Sequence, residues 1–387
     1  MQKFKFLGIV LVVMLLTAAG CATQTPVPTT APATEAPVAV ATEAPAVAAT
    51  EAPADTSITV TDALDRTVTL PSVPQKIVIV GRSIFAIADA IYLFPEAGDS
   101  ISAMGPTAQG TGNFIPLIDP AFPDKVSLAK SPTTEEIAAL QPDLVIMKTT
   151  SAEEDGKPLE ELQIPVVYVD FETAEQYQRD LATLGQIFQN PERAETLAAY
   201  FQGKVEAVAN VVGELTDEQK PRTLLLYYSD KDGVIAFKVP PAGWIQTYLV
   251  QTAGGQPVWM DANPGDGWAE VNLEQIAAWN PDVIFLVSYF VPANDVVADM
   301  KADPQWQLLD AVKNNKLYAF ATDVYSWDQP DPRWVLGLDW VAAKLHPDLF
   351  PEYDAVQDAK AFYLDLYGMD EAAYTANIEP MMTGDYK

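Results

Sequence analysis

Glu135-Glu136-Ile137-Ala138-Ala139-Leu140-Gln141-Pro142-Asp143-Leu144-Val145-Ile146 returns later in the chain as Glu274-Gln275-Ile276-Ala277-Ala278-Trp279-Asn280-Pro281-Asp282-Val283-Ile284-Phe285. Each copy reads as a short helix, a Pro-Asp turn and an apolar strand. The proline cannot continue the helix and restrains the residue before it. Continuous apolar runs such as Leu144-Val145-Ile146 and Val283 to Val287 suit parallel strands covered on both faces. One αβ unit used once in each half implies an α/β protein of two similar lobes with a ligand cleft between them.

Outward from the first copy, Lys76-Ile77-Val78-Ile79-Val80-Gly81 reads as a buried strand, with Ser83 capping a helix from Ile84 to Leu93. Ile58 to Leu70 alternates around Asp62-Ala63-Leu64-Asp65-Arg66 as a hairpin. Ile164 to Val169 is the last strand of the first lobe. From Glu172 to Glu214 the apolar residues keep a helical spacing, notably Leu181, Leu184, Ile187, Leu197, Phe201 and Val205. Asn190-Pro191 breaks or restarts that helix, and nothing comparable occurs elsewhere, so the stretch reads as the bridge between lobes. The second lobe offers strands at Thr223 to Tyr228, Val234 to Phe237, Val283 to Val287 and Leu317 to Phe320. Helices follow at Trp334 to Leu345 and Ala355 to Leu366, and the pattern fades near Pro380 to Gly384. The expected boundaries are 57–171 for the first lobe, 172–215 for the bridge, 216–375 for the second lobe and 376–387 for a tail.

Lys3 and Lys5 precede an apolar run from Phe6 to Leu16, too short for a mature bilayer span. Thr17-Ala18-Ala19-Gly20-Cys21 follows, ending in the one cysteine of the chain. This resembles a bacterial lipobox, which implies a signal peptide over 1–20 and a lipidated Cys21. An ordinary secretory signal is the alternative, and export is expected either way. Residues 22 to 56 hold Ala, Thr, Pro, Val and Glu with no aromatic, and Ala-Thr-Glu-Ala-Pro occurs at 33–37, 41–45 and 49–53. Such a composition buries too little apolar surface to fold. As a Pro-rich tether over 21–56, at about 3 Å per residue, it would reach roughly 100 Å.

The formal charge of −30 argues against nucleic acid and against a polybasic membrane patch. His346 is the one histidine and reads as a structural residue at a helix end. Without a second His or a spare Cys, a bare transition-metal site and a Ser-His-Asp or Cys-His centre are short of parts. No Gly-x-Ser-x-Gly, phosphate-binding or dinucleotide-binding loop occurs. An enzyme is not expected, nor a resident cofactor.

With Val60-Thr61-Asp62-Ala63-Leu64-Asp65-Arg66-Thr67-Val68-Thr69-Leu70-Pro71, then Pro74-Gln75-Lys76-Ile77-Val78, and the repeated Ile-Ala-Ala-x-x-Pro-Asp phrase, the chain resembles a known family. It is similar, over roughly residues 57 to 367, to the solute-binding proteins of ABC importers for iron–siderophore complexes, haem and cobalamin. The resemblance implies two Rossmann-like lobes joined by a single long helix, and a monomer delivering its ligand to a permease dimer with its ATPase. It also implies one exposed Glu per lobe meeting an Arg of each permease subunit. The matching positions are Glu135 and Glu274. Paired charges of this kind steer docking and fix orientation. An acid near a helix N-terminus is equally a favourable local choice, worth a few tenths to ~1 kcal/mol.

Open α/β sheets bind ligands at the loops after their strand ends. Those loops carry Arg82, Ser83, Met104 and Lys130 in the first lobe, and Lys238, Trp268, Tyr289, Tyr325 and Trp327 in the second. Trp268 stands where a cobalamin-binding member has a tryptophan against its ligand; the equivalent place in the first lobe holds Ala129. Arg333 matches a Pro-Arg pair of relatives, where a guanidinium would hold carboxylate, phosphate or an oxyanion. The expected function is a lipid-anchored extracytoplasmic receptor with an aromatic-lined cleft for a chelated metal or tetrapyrrole. The alternatives are molybdate or tungstate, ferric iron held by tyrosine phenolates, and a surface sensor without a permease.

Overall fold

The structure, a computed structural model, describes residues 56–110 and 112–387. The expected signal peptide, Cys21 and all of the expected tether but its last residue, Thr56, lie outside the described residues. No described helix is long and apolar enough to cross a membrane.

The chain opens with a hairpin of β1 (Ile58–Thr61) and β2 (Thr67–Leu70). Its turn is built on Asp62, which is buried. Asp62 accepts hydrogen bonds from the backbone of Leu64 and Arg66 and pairs with the Arg66 guanidinium at 2.6 Å. Five parallel strands follow: β3 (Ile77–Ile79), β4 (Ile101–Met104), β5 (Val126–Ser127), β6 (Leu144–Lys148) and β7 (Val166–Val169). They lie in the order β5-β4-β3-β6-β7. The second lobe has β8 (Arg222–Lys231), β9 (Val234–Val239), β10 (Gln256–Pro257), β11 (Ala269–Val271), β12 (Val283–Val287) and β13 (Leu317–Ala319). Its order is β11-β9-β8-β12-β13, with β10 alongside β8. β8, β12 and β13 run parallel, while β9 and β11 are antiparallel additions.

The repeated phrase forms the same device twice. Helix Thr134–Ala139 begins with a capping box of Thr133 and Glu136, and helix Leu273–Trp279 with one of Asn272 and Gln275. Gln141 and Asn280 then take left-handed conformations, φ 51° and 43°. The Asp of each Pro-Asp pair clips its strand to a neighbour. The Asp143 N–H donates to Lys76 O at 3.0 Å, and its Oδ2 accepts from the Lys76 N–H at 3.0 Å. In the second lobe the Asp282 N–H donates to Arg222 O at 2.7 Å, and its Oδ2 accepts from the Arg222 N–H at 2.8 Å.

Between the lobes, the helical stretch divides at its Asn-Pro pair into Ala174–Ile187 and the 22-residue helix Pro191–Val212. Asn190 caps the second, accepting from the Arg193 N–H at 3.1 Å. This long helix is fastened near its start and in its middle. Near its start Arg193 donates to Leu93 O in the first lobe at 2.9 Å. Further along, Lys204 pairs with Asp339 at 2.7 Å and with Asp358 on the helices Trp334–Leu345 and Ala355–Tyr367.

Two local expectations fail. Ser83 does not cap its helix: it sits in the left-handed region at φ 51° with no capping hydrogen bond, and the helix ends at Ile91. The last residues do not fade out. Thr383 bridges Thr322 through paired backbone hydrogen bonds of 3.1 and 2.9 Å, and the Asp385 N–H donates to Ala319 O at 2.9 Å. Gly384 has φ 84°, and a Cβ there would lie 2.2 Å from Phe320 O.

Candidate functional site

The C-terminal ends of β3, β4, β5 and β6 open into a cavity of about 640 Å³. Its first-lobe wall comes from Gly81 to Phe85, Pro106, Ala108, Gln109, Lys130 to Pro132 and the turn carrying Glu154 and Asp155; the second lobe adds Phe290. Gly81, at φ 99°, is required where it stands, since a Cβ would come within 2.7 Å of Ser151 Oγ. Ser151 in turn accepts the Arg82 N–H at 3.1 Å. Glu154 and Asp155 lie on a π-helical turn, Ala152–Gly156, a rare conformation that recurs at functional sites.

Arg82 meets Glu154 at 3.3 Å, both largely exposed. An exposed pair of that kind contributes about 0–1 kcal/mol, so an acidic ligand group can take Glu154's place. Lys130 is exposed and makes no ion pair among the described residues. Of the residues expected to contact ligand, Arg82, Ser83 and Lys130 therefore share the cavity.

A second group lies on the facing lobe outside the cavity wall. Trp268 packs on Tyr227, Trp244 and Tyr289 with ring centroids 4.9, 5.6 and 6.4 Å apart. Lys238 is half-buried on β9 opposite Tyr227. The Tyr289 hydroxyl donates to Asp328 Oδ2 at 2.7 Å.

Four expected contacts are corrected. Met104 is buried at the end of β4 and lines a separate cavity of about 280 Å³. Tyr325 is buried with its hydroxyl donating to Thr107 O at 2.7 Å. Trp327 is fully buried and donates from Nε1 to Asp323 Oδ2 at 3.0 Å. Arg333 is likewise inaccessible. Its guanidinium meets Asp89 at 2.5 Å, Asp323 at 3.1 Å and Asp331 at 3.1 Å, and lies over the Phe114 ring at 4.3 Å. Asp89 and Phe114 belong to the first lobe, so this cluster seals the lobe junction and leaves no guanidinium face for a ligand. Burial lifts Asp89 to about 7 against the pull of Arg333, and Asp331 to about 6.

Sequence reasoning missed Gln109, Glu154 and Asp155. Phe290 lies in the candidate loop Ser288-Tyr289-Phe290 after β12, where the sequence singles out its neighbour Tyr289. The acidic pair had no signal, because a π-turn leaves no periodic trace. His346 is buried, with Nε2 3.2 Å from Gly254 O. Among the described residues no three His, Cys, Asp or Glu side chains group to hold a metal ion.

The chain matches one family model, Periplasmic binding protein, over residues 118–323, more than half of its length. The chain belongs to the periplasmic binding protein family. Among curated relatives of this binding protein is the molybdate-binding protein MolA of Haemophilus influenzae, 22% identical over 80% of this chain and 90% of that one. A cobalamin-binding protein of Halobacterium salinarum is 26% identical over 75% of this chain and 74% of its own length. Among solved structures, a periplasmic solute binding protein from Veillonella parvula is 25% identical with a TM-score of 0.66, covering 83% of this chain and 97% of that chain.

Proposed function

We propose that this periplasmic binding protein carries a chelated metal or a tetrapyrrole, of the ferric siderophore, haem or cobalamin class, to an ABC permease dimer with its ATPase. The observation that carries this reading is the cavity of about 640 Å³. That lies in the range of sites for molecules of drug or cofactor size, about 300–1,000 Å³, and far exceeds a four-oxygen anion. Arg82 and Lys130, both in the cavity lining, support the reading as partners for acidic groups on such a ligand. A ligand arriving with its own chelator needs no histidine or cysteine from the protein. Lipidation at Cys21 would hold the head outside the cell membrane on its Pro-rich tether, and the monomer would reach its permease through Glu135 and Glu274.

A second reading, binding of molybdate or a similar oxyanion, draws on the two cleft cations and on the likeness to MolA. The test is titration of the purified protein with haem, cobalamin, a ferric siderophore and molybdate, followed by calorimetry and visible spectroscopy. Binding of one of the first three supports the proposal. Binding of molybdate alone favours the second reading, and binding of none defeats both. A head that binds ligand but supports no uptake beside any permease would mark a sensor instead.

A further inference from the structure

Phe290 is the one second-lobe side chain in the cavity wall among the described residues, and it is 72% exposed. Most phenylalanines here are core residues, so packing does not account for this one. The residue before it, by contrast, is gripped. The Tyr289 ring packs at a tilt against Tyr227, with centroids 4.8 Å apart, and its hydroxyl donates to Asp328. Asp328 is fully buried and also accepts from Ser326 Oγ at 2.5 Å and Gln246 Nε2 at 3.2 Å, with no cation paired to it among the described residues. From the other lobe Gly110 presses close: a Cβ on it would lie 2.9 Å from Tyr289 O. An exposed apolar ring next to an anchored residue shares a cavity with two cations, Arg82 and Lys130, of the opposite lobe.

We propose that Phe290 is the ligand contact of the second lobe, presented by the Tyr289–Asp328 anchor, and that the ligand is an anionic molecule with a planar apolar face. This rests on the cavity being the binding site. The acidic end engages Arg82 and Lys130, and the flat face lies against Phe290, where ring-to-ring attraction adds to the burial of apolar area. Tyr289 and Asp328 are positioning residues. They act on the ligand only through where they hold Phe290.

The probes are haem, flat and anionic, and a ferric tris-catecholate, an octahedral trianion that presents the flat faces of its catechol rings, with molybdate as a compact anion lacking any such face; the first two are the flat-faced probes. The unmodified protein is expected to bind at least one flat probe. Phe290→Ala is expected to weaken that binding at least tenfold, chiefly through a faster off-rate, while Phe290→Trp retains it. Tyr289→Phe keeps the ring but loses the anchor, and should raise the off-rate several-fold with the on-rate unchanged. Flat-probe binding that Phe290→Ala leaves intact overturns the assignment of Phe290 without touching the cavity. Binding of molybdate alone overturns the ligand class, and failure of all three probes overturns it together with the reading of the cavity.

Discussion

Arg333 carries one positive charge against Asp89, Asp323 and Asp331, all buried. Two negative charges in excess cannot be held without solvent, so the cluster retains a proton. The raised position of Asp89, about 7, expresses that. A carboxylate raised from an ordinary 3.8 binds more protons in the folded than in the unfolded chain, so stability falls as pH rises from about 4 to about 7. Thermal melting between pH 4 and 8 should show this decline, and Asp89→Asn should make it shallower, leaving the share of Asp331, Asp328 and Asp339, which burial also raises. Arg333→Ala strands three carboxylates and should cost about 3–5 kcal/mol in urea unfolding, against little change expected for an exposed ligand-contacting arginine. The sequence shows the Pro-Arg pair but not this role, because Asp89 lies 244 positions from Arg333. One clue was legible: Asp89 is a lone acid in the otherwise apolar helix Ile84–Ile91, and a buried charge there needs a partner.

At the scale of elements, the repeated phrase was readable because its signals are local. Thr133 with Glu136 and Asn272 with Gln275 are capping boxes three residues apart, and proline ends each turn. The work of Asp143 and Asp282 was not readable, since each acts on a strand distant in sequence. Replacing either by Ala removes a carboxylate accepting backbone N–H groups and should cost ~1–2 kcal/mol by chemical denaturation. The double variant should show the sum, because the sites share no partner. Ser83 misled for a comparable reason. Its residue type suits a cap, but Gly81 and Ser151 set the path of the chain into the cavity, and Ser83 follows it into a left-handed turn.

Over the whole molecule, the junction is fastened at several points besides Arg333. Gln109 and Gln329 exchange amide hydrogen bonds of 2.7 and 2.8 Å across it, and the Phe114 N–H donates to Tyr325 Oη at 3.2 Å. With the long helix fastened to both lobes, large hinge opening is opposed, and the outer face stays constant in shape. Glu135 and Glu274 sit on that constancy, one per lobe and both exposed. Glu136 and Gln275 already do the capping, so neither Glu is needed for its own helix. The double variant Glu135→Gln/Glu274→Gln should abolish uptake in cells while ligand affinity and melting temperature stay unchanged; undiminished uptake would refute the docking assignment. That two lobes exist was legible from the duplication. Which lobe supplies cations to the cavity, and which the aromatic ring, depends on loops that carry no repeat.

The final residues have a consequence beyond local order. β13 is the outermost strand of its sheet, and Thr383 to Asp385 lie along the chain just after and beside it. A protein shortened by five residues would bare that strand's rim, where uncovered amides recruit further copies. In a periplasmic binding protein, those residues act as a selvedge against polymerisation.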